Sequence, residues 1–324
     1  MQTPRHDTDT LPCTADVVSH GVGAAVGVIG IGVMGMPMAG RLLASGFRVV
    51  VYDIRSAPCA EAAGQGMTVA TSPAALVAQV GLTIVMVVDA TQIETVLFGE
   101  GGLVAGIGQA PTATSAQPTV MLCSTIAPAD AAAFAQRLAV YGIAMLEAPV
   151  SGGPVRALQG ALSMMLAAAP AVLDRSAPVL AALADRRFVI SPAAGEAAKV
   201  KLVNNLLAGT NLVAAAEAMA LGRQLGLEGR VLFDVINQSS GASWIFNDRM
   251  ARVLANDFAP RAALTLLAKD LSLATALAQS VGQATPLGTA ALAMFHKAID
   301  AIGGEFDDAA VIAAYGGRPA GAVP

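Results

Sequence analysis

Cysteine, histidine, aromatic side chains and charge are all scarce in this 324-residue chain. Its three cysteines, Cys13, Cys59 and Cys123, form no CxxC pair and are odd in number. That excludes a disulfide framework and a zinc-ligand spacing, and it fits the reducing cytoplasm. Of three histidines, His6 and His20 fall in a polar N-terminal stretch and His296 in a C-terminal helical pattern, so a histidine base has one poor candidate. Charged residues are 13% of the chain and the net charge is -4, which leaves no basic footprint for a nucleic acid. Mean hydropathy is +0.63. Yet no run of about 18 apolar residues escapes glycine, proline or charge, and alanine carries much of the score, so no membrane span is expected. The first twenty residues lack the apolar centre of a secretory signal. Small molecules remain as the expected partners, with no membrane, nucleic acid or metal.

What is present is an alternation. AVGVIG, a glycine-rich turn, MPMAGRLLASG and RVVVYD follow one another from Ala25 as strand, turn, helix and strand. MTVA at 67–70, LTIVMVV at 82–88, TVMLCST at 119–125, AMLEAPV at 144–150, LSMMLA at 162–167 and RFVIS at 187–191 read as further strands, most separated by helical patterns. Apolar strands alternating with helices predict an α/β, Rossmann-type, doubly wound and mostly parallel sheet. GQAPTATSAQP at 108–118 reads as a surface loop. After Pro192 the β-branched runs stop and long helical patterns begin. The expected organisation is a loosely ordered extension over 1–25, a dinucleotide-binding domain over 26–191, and an all-helical substrate and dimerisation domain over 192–324.

Gly30-Ile31-Gly32-Val33-Met34-Gly35 follows a strand and opens a helix, and Asp53 ends the next strand. In that context G-x-G-x-x-G predicts a backbone turn and a helix N-terminus facing a pyrophosphate. Asp53 would accept hydrogen bonds from ribose hydroxyls and repel a 2′-phosphate, which favours NAD. Arg55 would accommodate that phosphate if the aspartate pointed away, so NADP stays open. Val88 and Asp89, at the end of the 82–88 strand, are placed with the cofactor-binding residues.

GIGVMGMPMAGRLL, CSTIAPAD at 123–130, LEAPVSGGPVRALQG at 146–160, GEAAKVKLVNNLLAG at 195–209, GASWIFNDRM at 241–250 and LLAKDL at 266–271 occur in this order. The chain thereby resembles the 3-hydroxyisobutyrate dehydrogenase family of β-hydroxyacid dehydrogenases, related to 6-phosphogluconate dehydrogenase. The resemblance implies hydride transfer between a small hydroxy acid and a nicotinamide cofactor. VLFGEGG at 96–102, EAMAL at 217–221 and GASWIFNDRM look most like the branch acting on L-threonate. The alternatives within the family are 3-hydroxyisobutyrate and tartronate semialdehyde. An idle dinucleotide-binding protein is the reading outside catalysis. The resemblance further implies that Ser151, Gly152 and Gly153 bind substrate and that Thr125 lies near the nicotinamide. Ser124 is placed with the substrate, although Ser124 and Thr125 could instead cap a helix at Pro128. Lys269 is expected near the cofactor, or in a surface charge pair with Asp270. Trp244 and Phe246 line a pocket or simply pack. A homodimer or homotetramer is expected.

Lys199 and Lys201 compete for the catalytic role. At about 100° per residue they lie about 200° apart on a helix, whereas Asn205 is only about 40° round from Lys201. The family's glycine-x-glycine-x-x-x-lysine pattern also ends on Lys201, with Ala197 in place of the second glycine. Lys201 is therefore the expected acid/base, Asn205 its partner and Lys199 a solvated neighbour. An ordinary lysine titrates near ~10.4, so Lys201 needs desolvation or a nearby positive charge to act as a base.

Overall fold

The computed structural model describes residues 23–107 and 117–316. Cys13, His6, His20, most of the expected N-terminal extension and most of the 108–118 loop lie outside them. The chain divides into two compact units, one up to Lys199 and one from Val200.

The first unit is a nine-stranded sheet. Its strands are β1 (Ala25–Ile29), β2 (Arg48–Tyr52), β3 (Thr68–Val69), β4 (Leu82–Val85), β5 (Thr119–Leu122), β6 (Ala144–Glu147), β7 (Val150–Ser151), β8 (Leu162–Ala167) and β9 (Ala184–Ser191). The order β3-β2-β1-β4-β5-β6 is parallel throughout, with β4 entering on the far side of β1 from β2. Strand β8 runs antiparallel to β6 and β7 and parallel to β9. The expected mostly parallel, doubly wound sheet is therefore present, with β8 and β9 reversed.

Sequence patterning is clearest where both faces of this sheet are covered. Val26, Val28, Val49, Val51, Ile84 and Met121 point into one apolar cluster, and Ile29, Val50, Val85, Val120 and Leu122 into another. Helices α1 (Gly35–Ala44), α6 (Gly153–Gln159) and α7 (Pro170–Leu183) contribute Leu42, Ala157 and Leu180 to the first cluster. Helices α3 (Pro73–Val77), α4 (Ala90–Phe98) and α5 (Pro128–Val140) contribute Leu76, Leu97 and Leu138 to the second. Alternation with period two, every position apolar, is the signature of a strand buried on both sides. A Cβ added to Gly27 would lie 2.3 Å from Leu76 Cδ2, so the strand admits no side chain where α3 packs.

Several strands differ from their sequence-based spans, most at the following places. Strands β4 and β5 stop three residues early because residues 86–88 and 123–125 leave the sheet for the loops above it. The AMLEAPV run breaks around Pro149, which has no N–H for a ladder. Strand β9 begins three residues early, at Ala184. The remaining helix of this unit, α2 (Ser56–Gly64), follows β2.

Helix α8 (Glu196–Gln224) starts in the first unit and continues into the second. The second unit adds α9 (Gly229–Asn237), α10 (Trp244–Leu254), α11 (Leu264–Ser280), α12 (Pro286–Ile302) and a 3-10 segment, Asp308–Tyr315. Its core gathers Leu212, Ala216, Phe233, Phe246, Leu264, Leu271 and Phe295. A Cβ on Gly209 would lie 2.9 Å from Leu271, so α8 and α11 approach closely at a position that only hydrogen fills comfortably.

Candidate active site

The turn after β1 is closed on itself. Gly30 has φ +86°, in the left-handed region that glycine tolerates, and a Cβ there would lie 2.4 Å from the Met86 carbonyl oxygen. A Cβ on Gly35 would lie 1.9 Å from the Gly30 oxygen. Gly32, by contrast, faces open space limited by Arg55 Nη2 at 3.4 Å. Met34, before the first turn of α1, makes no side-chain cap, so no side chain occupies the amides there. Ile31 is buried and Val33 half exposed.

Asp53 follows β2 and faces this turn. Its Oδ2 accepts the Ile31 N–H at 3.0 Å and Arg55 Nη2 at 2.9 Å, while Oδ1 accepts the Arg55 backbone N–H and Nε, each at 2.9 Å. Burial pushes the Asp53 carboxyl up, but the bonds and charge of Arg55 outweigh it and hold the group below its ordinary value. Asp53 is thus turned toward the glycine turn and paired with Arg55. Beside the pair lies a cavity of ≈ 290 Å³ lined by Gly32, Val33, Arg55, Pro58 and Glu61 among others. A bare glycine turn, an uncapped helix start and a carboxylate beside a cavity fit the adenosine diphosphate half of a dinucleotide.

The loops after β4 and β5 are joined by Ser124, whose buried hydroxyl accepts the Val87 N–H at 3.0 Å. Helix α5 starts at Pro128, and its N-cap residue Ala127 makes no side-chain cap. Thr125 is half buried beside it. Val88 is half exposed, and Asp89 caps α4 by accepting the Gln92 N–H at 2.8 Å. These residues stand at the carboxyl ends of adjacent parallel strands, where open α/β sheets bind ligands.

Ser151 ends β7 and is half buried. Gly152 and Gly153 follow at φ +131° and +72°, and a Cβ on Gly152 would press within 2.8 Å of Arg156 Cδ. This backbone demands glycine by itself, and it leaves no side chain between Ser151 and α6.

One strand earlier, Glu147 is a buried carboxylate with no place in the sequence-based site. Its Oε2 accepts the Gly195 N–H at 2.7 Å and its Oε1 the Ala198 N–H at 2.6 Å, so it caps the first turn of α8. Burial pushes its carboxyl up, against the pull of the backbone amides of Gly195, Ala198 and Ala197. The signal was a single acid ending an otherwise apolar strand.

Of the two competing lysines, Lys199 is exposed and pairs with Glu196 at 2.6 Å, whereas Lys201 and Asn205 are both 8% exposed. Asn205 Nδ2 donates to Asp270 Oδ2 at 2.6 Å, and Lys269 Nζ donates to Asp270 Oδ1 at 2.8 Å. The Lys269-Asp270 pair is therefore not a surface pair: Asp270 is buried and joins Asn205, and adjacent residues on α11 do meet through their side chains. Burial lowers the pKa of the Lys201 ammonium, the charge of Asp270 opposes this, and Lys269 reinforces it. Asp270 was legible in principle, since it takes the buried face that Leu267, Leu271 and Ala274 define.

Trp244 and Phe246 diverge. Trp244 is half exposed at the start of α10 with the Arg249 guanidinium 6.0 Å from its ring centre. Phe246 is 2% exposed and stacks on Phe233 at 5.6 Å, as a packing residue does.

Comparison with known proteins agrees with this geometry. Residues 25–191 match the NAD-binding domain of 6-phosphogluconate dehydrogenase, and residues 195–315 match the NAD-binding model of NADP-dependent 3-hydroxyisobutyrate dehydrogenase. The chain is 39% identical to an L-threonate dehydrogenase of Cupriavidus necator, covering 90% of this chain and 96% of that one. It is 34% identical to a 3-hydroxyisobutyrate dehydrogenase of Pseudomonas aeruginosa, covering 90% and 99%. A crystal structure described as 3-hydroxyisobutyrate dehydrogenase from Salmonella typhimurium superposes with TM-score 0.82 at 36% identity, over 90% of this chain and 99% of that one. The fold and these matches define an NAD(P)-binding oxidoreductase of small hydroxy acids. The chain belongs to the 3-hydroxyisobutyrate dehydrogenase family.

Proposed function

We propose that this protein oxidises an L-threonate-like hydroxy acid to the keto acid, with NAD preferred over NADP. The observation that carries the reading is the buried Lys201 sharing one side of α8 with the buried Asn205. Residues Gly30 to Gly35 would hold the pyrophosphate, Asp53 and Arg55 the adenosine ribose, and Val88, Asp89, Thr125 and Lys269 the remainder of the dinucleotide. When bound, the dinucleotide supplies the ring that accepts the hydride. Ser151 and the amides of Gly152 and Gly153 take the substrate carboxylate, with Ser124 and Trp244 beside the rest of the acid. Lys201, in its neutral form, accepts the hydroxyl proton, and Asn205 holds the alcohol oxygen. Burial supports this use of Lys201, because it disfavours the ammonium.

The preference for NAD is supported by Asp53 remaining turned toward the glycine turn. The L-threonate assignment is supported by the relatives of that name. In the same reading the enzyme works in the cytoplasm as a homodimer or homotetramer. Leu221, Leu225, Val231 and Val235, exposed on or beside α8 and α9, are available to a second copy.

The test is the rate of NADH formation over a panel of three- to five-carbon hydroxy acids. L-Threonate should give the highest kcat/KM, and NADP should support a lower value than NAD. A panel in which 3-hydroxyisobutyrate is preferred overturns the substrate assignment, and turnover of none overturns the activity.

A further inference from the structure

A carboxylate in the middle of an apolar helix face requires partners, because an unpaired charge there is expensive. Asp270 occupies such a place on α11, flanked by the buried Leu267, Ala268 and Leu271. Its two oxygens take different partners: Oδ2 accepts Asn205 Nδ2 at 2.6 Å, and Oδ1 accepts Lys269 Nζ at 2.8 Å. The oxygen of Asn205 in turn accepts Asn204 Nδ2 at 3.0 Å. The Asn205 amide is thereby oriented at both ends, its nitrogen toward a fixed negative charge and its oxygen toward a donor.

We propose that Asp270 is a positioning residue for the dehydrogenase reaction, fixing the Asn205 amide next to Lys201 on α8 and tethering the Lys269 ammonium on α11. The proposal rests on Lys201 being the acid/base group. A neutral amide at 270 could accept one bond from Asn205, yet it would lose the ion pair with Lys269 and turn its own nitrogen toward a donor. The charged groups that act on Lys201 are Asp270, which favours the ammonium, and Lys269, which opposes it. One carboxylate therefore governs both the aim of Asn205 and the pH at which Lys201 becomes a base.

Oxidation requires neutral Lys201, so kcat rises as pH passes upward through its pKa. Asp270→Asn removes a negative charge that stabilised the ammonium, and the acid limb of kcat should move down by roughly one pH unit. Lys269→Gln removes a positive charge, and the limb should move up. In Asp270→Asn, kcat should also fall by roughly tenfold or more. KM for the hydroxy acid should change much less, since Asp270 is not assigned a substrate contact.

The experiment is a set of kcat-pH profiles at saturating NAD for wild type, Asp270→Asn, Lys269→Gln and Lys201→Met, with circular dichroism to establish folding. Opposite shifts in the two α11 variants and a lost limb in Lys201→Met support the proposal. A limb lost in Lys201→Met but unmoved in Asp270→Asn, with kcat also unchanged there, overturns the role of Asp270 alone. A limb that persists in Lys201→Met overturns the lysine reading on which it stands. Should Asp270→Asn fail to fold, Asp270→Glu, which keeps the charge and displaces it, takes its place: a fall in kcat with the limb near its wild-type pH supports the positioning role, and an unchanged kcat overturns it.

Discussion

Asp53 illustrates how one side chain can be committed before its ligand arrives. Four hydrogen bonds, three of them from Arg55, surround its carboxylate. Because Arg55 holds both carboxylate oxygens, binding of either dinucleotide must rearrange Arg55 or share its partner. Asp53→Ala should therefore do two things at once. It removes the acceptor for the ribose, and it frees Arg55 to meet a 2′-phosphate. The ratio of kcat/KM for NAD over NADP should fall by roughly tenfold or more. Steady-state kinetics with both cofactors would measure it, and an unchanged ratio would show that neither residue sets the preference.

Among the elements, the 3-10 segment Asp308–Tyr315 depends most visibly on charge. It is buried almost throughout, and a charged network pins its start in addition to its own backbone bonds. Arg249 of α10 grips Asp308 with two nitrogens and also pairs with Asp248. Arg252 reaches Asp307, whose oxygens also accept the Arg261, Ala262 and Ala309 amides. Burial pushes the Asp308 carboxyl up to about 6, against the pull of Arg249. Removing one member of a buried ion pair strands the other, so Arg249→Met should cost about 3–5 kcal/mol. The sign of its pH dependence follows. A carboxyl whose folded pKa exceeds its unfolded value holds a proton on folding, so its contribution to stability falls as pH rises between the two. Without Arg249 the folded value climbs further, and the loss relative to wild type should be greater at pH 8 than at pH 5. Thermal denaturation at the two pH values would show it. An equal loss at both would mean that Asp308 stays charged or gains water.

At the scale of the whole molecule, the sheet was legible because nearly every strand position is apolar and every crossover carries a helix. The reversal of β8 was not, since a strand buried on both faces reads the same in either direction. Lys201 and Asn205 could be chosen from helical spacing together with the family's lysine pattern, because one face of one helix is a local property. Asp270 and Glu147 could not be chosen so easily. Asp270 lies 65 residues from Asn205, and Glu147 lies 48 and 51 residues from the amides of Gly195 and Ala198 that it caps. Partners so far apart in sequence are found only once the chain is folded.

The close approach of α8 to α11 at Gly209 carries a practical consequence for anyone seeking a sturdier catalyst. Replacing glycine by alanine is a common route to thermal robustness, since it limits the wandering of the unfolded chain. At Gly209 that route is barred, because the new methyl would collide with Leu271 and pry the helix bearing Asn205 from the one bearing Asp270. Gly40, inside α1, is the opposite case: its nearest obstacle is Gln65 Oε1 at 3.8 Å. Gly40→Ala should raise the melting temperature by an amount equivalent to about 0.5–1 kcal/mol, and Gly209→Ala should lower it, as scanning calorimetry of the two variants would reveal. Robustness can thus be added to the dinucleotide-binding half, while the helices around Lys201 have little room for it.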